Sequence, residues 1–586
     1  MERLGREFGL KNKLKYFEMG NPIETLRKYW GYESFRGIQS DIINSILAGR
    51  DTVGLMPTGG GKSICFQVPA LCMDGVCVVV TPLIALMKDQ VAHLKANGIL
   101  ATCIHSGLTR AEVLRELDNC ILGHNKFLYL SPERLETQIF IEKLKRIKVS
   151  FIAIDEAHCI SQWGYDFRPS YLRLKELRKL LPDTPVLALT ATATLTVLDD
   201  IQQQLAFKEK NVFRMSFERK NLAYIVENVP NKYEELIKLL HENEGSAIVY
   251  TRNRAGTRET AEWLRDQGFS AHYYHAGLTN LDKDMKQQQW TSGAVRIMVC
   301  TNAFGMGIDK PDVRLVVHLE MPDSIEAYFQ EAGRAGRDGK PAKCVLLHQK
   351  NDDSQMLRRV SQEFPPREFI WQIYNEIAYF LQVAAYDGEG RRYEFNLGRF
   401  CKNFRHFPLP VVSALKILTR AGYIDYTDED DNHSRLMMLL QRDELYHLNS
   451  LSYAEDKVMQ AVLCLYSGLF SEYVTVDESD IAEIAGYSRE EVYETLKSLT
   501  RQRILNYVPA KDIPHITYVR ARVPEEEIAV SASVLEDRMA NYEARLKAIV
   551  EYANQTDVCR SRYLLRYFAD PAADKVENCG KCDLCR

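Results

Sequence analysis

No stretch of this sequence approaches the ~18 consecutive apolar residues of a bilayer-spanning helix, which excludes a chain organised around membrane spans. Met1 to Lys15 mixes acids and bases without an apolar run, so no secretory leader is expected there. A dominant charge is missing too. The net charge is −4 over 586 residues, so any nucleic-acid site must be a local basic surface on a balanced protein. The 14 cysteines are not crowded as in a disulfide scaffold; most are scattered through alternating strand-like and helix-like sequence, which argues for reduced thiols in the cytosol. A cluster at the C-terminus is the exception. The hydrophobic fraction of 46% is ordinary, so sizeable cores are possible. This length corresponds to roughly three to five domains.

What is present is a glycine run between two apolar segments. Met56-Pro-Thr-Gly-Gly-Gly-Lys-Ser63 follows Val53–Leu55, which reads as the end of a strand, and precedes Ile64–Ala70, which opens a helix. Glycines let backbone N–H groups close around phosphate oxygens where a Cβ would clash. The helix N-terminus adds its positive dipole end to the same anion. Thr58, Gly59, Gly60, Gly61, Lys62 and Ser63 are therefore candidate nucleotide-binding residues. Lys62 would reach the β- and γ-phosphates of ATP, and the Ser63 hydroxyl would hold Mg²⁺. The strict pattern has Gly where this chain has Met56, and the stretch alone also fits a plain glycine-rich turn. Upstream, Tyr32, Arg36 and Gln39 offer an aromatic ring, a guanidinium and an amide that can sandwich a purine and read its edge.

Short β-rich runs then alternate with helical segments: Val76–Thr81, Phe127–Ser131, Phe151–Ile154 and Val186–Thr190. Alternation of this kind predicts an α/β fold with a parallel sheet covered on both faces, and ligands at the carboxyl ends of its strands. Phe151-Ile-Ala-Ile-Asp-Glu-Ala-His158 ends one such strand. Beside a bound Mg·ATP, Asp155 would take the metal through water and Glu156 would orient and deprotonate the attacking water. His158 would link the nucleotide to the partner site; a solvated acidic turn is the bland alternative.

The chain resembles superfamily 2 helicases, and among them the RecQ family. The resemblance is carried by Phe35–Gln39, Met56–Ser63, Thr81–Gln90, Ser131–Leu135, Asp155–Pro169 and Leu189–Thr194, and runs from about Tyr29 to His348. Met56 is then no anomaly, because this superfamily does not require the first glycine. The most specific part is Trp163-Gly-Tyr-Asp-Phe-Arg-Pro169. There Trp163, Tyr165 and Phe167 offer flat faces to unstacked bases and Arg168 offers charge, with stacking worth roughly 1–3 kcal/mol per base; a buried aromatic cluster is the alternative. A second α/β unit from about Asn221 has runs at Ala247–Thr251, Ala271–His275, Val295–Cys300, Leu315–Leu319 and Cys344–Leu347. Its landmark is Gln330-Glu-Ala-Gly-Arg-Ala-Gly-Arg337. Arg334 and Arg337 are three apart, share a face if helical, and would stabilise charge on a γ-phosphate from across the cleft. Thr301–Asp309 would connect nucleotide and nucleic acid. The resemblance implies two RecA-like domains, catalytic roles for Lys62, Asp155, Glu156, His158, Gln330, Arg334 and Arg337, and base contacts from Trp163, Phe167 and Arg168. It also implies ATP-driven 3′-to-5′ DNA unwinding on single-stranded, duplex and forked DNA in repair and recombination. The protein is expected to be a monomer in a bacterial cytoplasm, at the nucleoid, with no membrane contact. The rivals are an RNA helicase or duplex translocase of the same superfamily, and a DNA-binding regulator that uses its ATPase as a switch.

After His348 the pattern turns helical, and then an internal repeat appears. Ala414–Tyr426 lines up with Thr495–Tyr507, each an amphipathic helix running into an apolar strand. A shorter helix precedes each, Leu397–Phe404 and Asp480–Ala485, so both copies predict winged-helix units. Such units bind DNA or proteins, and the candidate wing Asp428–Asp431 is acidic. Cys559, Cys579, Cys582 and Cys585 have the spacing of a four-thiolate metal site, zinc or iron–sulfur by spacing alone. The resemblance implies zinc, with the helix Val534–Thr556 part of that module's helical hairpin and the module split. It also leads to the expectation of no small helical domain after Arg586. The expected division is 1–220 and 221–350 for the RecA-like domains, 351–388 helical, 389–448 and 449–524 winged-helix, and 525–586 for the helical hairpin and four-cysteine zinc-binding module.

Overall fold

The computed structural model describes residues 20–585 apart from 83, 106–107, 109, 137, 305–309, 428–433, 441–450, 467–468, 471–472, 510–513, 525–526 and 576. Seven short strands rich in β-branched and aromatic residues make the first sheet: β1 (Thr52–Leu55), β2 (Val76–Val80), β3 (Ala101–Ile104), β4 (Phe127–Leu130), β5 (Val149–Ile154), β6 (Val186–Thr190) and β7 (Val212–Arg214). They run parallel in the order β3-β4-β2-β5-β6-β1-β7. Alternation along β5 shows why: Phe151 and Ala153 enter one apolar cluster, Ile152 and Ile154 another. Both faces must be covered by helices, as in parallel sheets generally. The edge strands β3 and β7 have no marked run in the sequence; β7 is only half-buried along its length.

The second sheet repeats the plan with β8 (Leu222–Asn228), β9 (Ser246–Tyr250), β10 (Ala271–Tyr274), β11 (Ile297–Cys300), β12 (Val313–His318) and β13 (Ala342–His348). Its order is β10-β11-β9-β12-β13-β8, all parallel. One continuous cluster joins the two sheets to the C-terminal helices, with Leu55 and Ile154 from the first, Tyr224 and Val316 from the second, and Tyr552 and Phe568 from the C-terminal end. Each large side chain buried there is worth about 1.5–3 kcal/mol, more than any exposed ion pair. Apolar packing therefore fixes how the cleft is held.

The segment expected as one helical stretch, 351–388, is two helices with different allegiances. Pro365 and Pro366 break it, since the residue before a proline avoids helical dihedrals, and Phe364 sits at φ −125°, ψ 78°. Lys350–Glu363 lies against the C-terminal helix Glu536–Asn554, where the Phe364 and Tyr542 rings are 5.7 Å apart. Arg367–Leu381 instead packs on Pro408–Arg420 and enters the first winged-helix core through Ile370, Ile373 and Ile377.

Both winged-helix units are present, but their boundaries differ from the expected 389–448 and 449–524. The first sheet of this half joins β14 (Arg392–Glu394), β15 (Ile424–Thr427) and β19 (His515–Tyr518) in the order β14-β19-β15. The second joins β16 (Ser434–Met438), β17 (Val474–Val476) and β18 (Leu505–Val508) in the order β17-β16-β18. Thus β15 pairs antiparallel with β19, across the whole of the second unit. The second unit is inserted into the hairpin of the first. The side chains decide the exchange: Leu436 and Met438 fill the second core, Ile516 and Tyr518 the first. The candidate wing Asp428–Asp431 lies outside the described residues. The repeat itself holds to the level of single bonds. Thr419 Oγ1 donates to Leu415 O and accepts from Tyr426 N at 3.1 Å, while Thr500 Oγ1 does the same with Leu496 O and Tyr507 N, also at 3.1 Å.

Candidate active site and nucleic-acid cleft

The strand β1 leads into fully buried Met56, and the helix Lys62–Cys72 starts directly after Gly61, whose φ of 77° lies in the left-handed region. A side chain at Gly61 would also collide with Gln39. The Gln39 Nε2 donates to Gly60 O at 3.2 Å and Gly61 O at 3.1 Å, and its Oε1 accepts from Arg36 N at 2.8 Å. Gln39 therefore braces the phosphate loop through its amide. Tyr32 and Arg36 are both exposed, with the Arg36 guanidinium 5.6 Å from the Tyr32 ring centre.

The carboxylates stand at the end of β5, opposite this loop. Lys62 Nζ donates to Glu156 Oε1 at 3.1 Å and lies 4.0 Å from Asp155 Oδ1. Asp155 Oδ1 also accepts from Glu156 N at 2.9 Å. Burial pushes the Asp155 carboxyl up, the Glu156 charge adds to this and Lys62 opposes it. Burial also acts to raise Glu156, but Lys62, His158 and Arg334 outweigh it and hold that carboxyl below its usual range. Lys62 in turn is raised despite burial, by the two carboxylates. Glu156 has a φ of 48°, a costly backbone for a non-glycine residue that aims its side chain inward. Its Oε2 is buried, lies 3.3 Å from His158 Nδ1 and has no hydrogen-bond partner among the described residues, so its acceptor capacity is unused. His158 Nδ1 sits 2.9 Å from Thr190 Oγ1 at the end of β6; burial lowers its pKa, while Glu156 and Asp166 act to raise it.

The second sheet closes the site from the other side. Gln330 ends in the helix Ile325–Ala332, which stops at Gly333. Arg334 and Arg337 follow in the turn beyond, so their expected shared helical face does not exist; Gly333 breaks the helix before them. They still flank the loop: Arg334 is buried and acts on Glu156, and Arg337 acts on Lys62 and touches the space above Gly59. Gly333 is close enough to Thr58 Oγ1 that a Cβ would collide with it. Arg219 has no signal in the sequence, yet its guanidinium donates to Gly333 O at 3.3 Å, Ala335 O at 3.0 Å and Thr58 O at 3.4 Å, tying loop to turn. Of Thr301–Asp309, residues 305–309 lie outside the described residues.

The aromatic loop splits by role. Trp163 is 47% exposed and presents a free ring. Tyr165 does not offer a face to bases: its ring stacks on His158 at 4.8 Å and its hydroxyl donates to Gln330 Oε1 at 2.6 Å. Arg168 does not offer an unpaired charge either, because Asp166 Oδ2 accepts from its Nε at 3.2 Å and its Nη2 at 3.1 Å. Phe167 faces Arg538 of the C-terminal helix, 5.1 Å from ring centre to guanidinium. The same helix holds the loop backbone, with Arg545 Nη1 donating to Gly164 O at 2.8 Å.

Cys559, Cys579, Cys582 and Cys585 bring their sulfurs within 4.8 Å of one another, one ligand each. Backbone amides point at two of them: Cys579 N lies 3.3 Å from Cys559 Sγ and Cys582 N 3.4 Å from Cys579 Sγ, which suits thiolates. Arg560, itself buried, pairs with Asp583 at 2.8 Å, and Asp583 accepts from Val226 N at 3.2 Å, fastening the cluster to β8.

Four family models match in register with this architecture: DEAD/DEAH box helicase over residues 36–201, Helicase conserved C-terminal domain over 231–339, RecQ helicase winged-helix domain, Bacteroidota, over 436–509, and RecQ zinc-binding over 521–586. The winged-helix match coincides with the inserted unit. Curated relatives named ATP-dependent DNA helicase RecQ come from Haemophilus influenzae, 44% identical over 58% of this chain and 55% of that one, and from Bacillus subtilis, 44% identical over 56% of each. A third, from Synechocystis sp., is 42% identical over 55% of this chain and 70% of that one. The chain spans 55%, 56% and 70% of the length of these three relatives. With both parallel sheets, the loop, the carboxylates and the four cysteines in place, the chain belongs to the RecQ helicase family.

Proposed function

We propose that the protein hydrolyses ATP between its two sheets and uses that cycle to move 3′ to 5′ along single-stranded DNA, separating duplex and forked DNA in repair and recombination. The observation that carries the hydrolysis is the division of labour at Glu156: Oε1 holds Lys62 while Oε2 is buried without a hydrogen-bond partner. Glu156 is the general base for water, and Lys62 leaves it for the β- and γ-phosphates when nucleotide enters. The loop amides from Gly59 to Ser63 take the phosphate oxygens. Arg334 and Arg337 stabilise charge as it builds on the γ-phosphate, and a finger of this kind is worth about 10³–10⁵ in rate. Ser63 and Asp155 would hold a Mg²⁺ ion, which would supply neutralising charge on the phosphates. The four thiols fit zinc, which supplies folding energy to the C-terminal module. His158, Tyr165 and Gln330 form the path from carboxylate to second domain, and Trp163 reads the strand at its start. Acting as a monomer in the cytoplasm belongs to the same reading.

The test is unwinding of forked, 3′-tailed and four-way DNA by the pure protein. ATP-dependent strand separation from a 3′ tail, lost in Lys62→Ala, is the expected result. Hydrolysis without strand separation would make the ATPase a switch in a DNA-binding regulator, and preference for RNA duplexes would move the substrate class.

A further inference from the structure

A cleft of about 1080 Å³ opens where four parts of the chain meet. It is lined by Gly164–Arg168 from the first domain, Arg252 from the second, Arg420 at the end of the first winged-helix unit's long helix, and Arg538 and Arg545 from the C-terminal helix. Its volume exceeds the roughly 300–1,000 Å³ of small-molecule sites, so a free nucleotide would not fill it. Two of the arginines already have partners: Arg252 pairs with Asp323 at 2.9 Å, and Arg545 donates to Gly164 O at 2.8 Å. Arg420 and Arg538 differ. Among the described residues neither has an ion pair or hydrogen bond, and Glu363 is the one carboxylate that acts on both. Burial, followed by repulsion from Arg420 and Arg545, brings the Arg538 guanidinium down to about 10. Asp166, Glu320, Asp323 and Glu363 also line the cleft, yet Arg420 and Arg538 repel each other without a direct ion pair, and a further anion between them relieves that repulsion. The Arg538 guanidinium lies over the Phe167 ring, 5.1 Å from its centre, so an aromatic side chain stands with the charges. Charge alternating with an aromatic face is what a single nucleic-acid strand fits, backbone to one and bases to the other.

We propose that Arg420 and Arg538 bind phosphates of a single strand threaded through this cleft, making the first winged-helix unit and the C-terminal helix the outer wall of the strand channel. The site rests on the reading that the protein acts on single-stranded DNA. It gives the first winged-helix unit a contact through the end of its long helix rather than through its wing.

The test measures binding of labelled oligothymidylate across a salt series by the full-length, zinc-loaded protein, for wild type, R420Q, R538Q and R420Q/R538Q. Each phosphate contact to a single strand contributes about 0.7 to the slope of log K against log[salt]. The double variant is expected to lose about 1.4 of that slope and to bind about 25-fold more weakly at 0.1 M salt, each single variant about fivefold. The pair R420K/R538K keeps the charges and should keep the slope. Melting temperature and zinc content show that the variants are folded. An unchanged slope in a folded R420Q/R538Q protein overturns the site, as does an effect on duplex alone. A wild-type protein that binds no single strand would overturn the parent reading instead.

Discussion

At the scale of single residues, Glu156 and Tyr165 make the sharpest claims. Glu156→Gln keeps the shape of the side chain and removes the proposed base, so hydrolysis should fall by roughly 10²–10⁴ while nucleotide still binds. Lys62→Ala should lose both, because its ammonium is the proposed phosphate contact. Steady-state ATPase beside fluorescent-nucleotide binding separates the two, and near wild-type hydrolysis in either would remove the site. Tyr165→Phe keeps the stack on His158 and deletes the hydroxyl's bond to Gln330 and its interaction with Thr192, each a net of about 0.5–1.5 kcal/mol. The ratio of ATPase with and without single-stranded DNA should drop, with the melting temperature nearly unchanged; a drop in stability alone would make Tyr165 a core residue. The sequence made Lys62, Asp155 and Glu156 legible, because loop spacing and adjacent carboxylates after an apolar strand constrain the chemistry locally. It did not show that Tyr165 reaches Gln330, or that Gln39 is turned into the loop. Those are contacts between residues far apart in the chain, and no local pattern encodes them.

Among elements, the C-terminal helix Glu536–Asn554 governs the aromatic loop. Arg538, Asn541 and Arg545 lie at i, i+3 and i+7 and so share one face. That face meets Phe167, Trp163 O at 3.5 Å from Asn541 Nδ2, and Gly164 O at 2.8 Å from Arg545 Nη1. Arg545→Ala should loosen the loop while leaving the cysteine cluster loaded. Hydrogen exchange across residues 161–168 should quicken and DNA stimulation of the ATPase should fall; unchanged exchange would mean the loop is set by the first domain alone. The family resemblance marked this helix from the sequence, though not what its polar face holds. The winged-helix repeat was legible for a related reason, since helix, turn and apolar strand recur with equivalent threonine bonds. Which strand completes which sheet was not legible, because an apolar alternation announces a strand without naming its partner.

Across the whole molecule, the C-terminal module grips the segment between the two sheets. Arg214 donates to Phe568 O at 3.0 Å and Ala569 O at 2.9 Å, Asp570 accepts from Phe217 N at 2.6 Å, and the Phe217 and Phe568 rings stack at 4.6 Å. Metal analysis should find one zinc per chain, and Cys582→Ser should lose it. Since such metals supply folding energy, the loss should appear as proteolysis within residues 559–585 and as ATPase uncoupled from DNA. A metal-free native protein, or an iron–sulfur absorbance, would overturn the zinc assignment. The pairing of Thr427 with His515 has a further consequence, for synthesis. A ribosome delivers β15 well before β19, on the order of ten seconds at ~5–20 residues per second. The inserted unit can finish folding during that interval, while the nascent first unit waits with an open edge. Directly cross-strand residues are only about 5 Å apart, so the inserted unit leaves and re-enters its host through one narrow doorway. A short turn in its place would close that doorway at once, and the shortened chain would no longer expose an unfinished edge during translation.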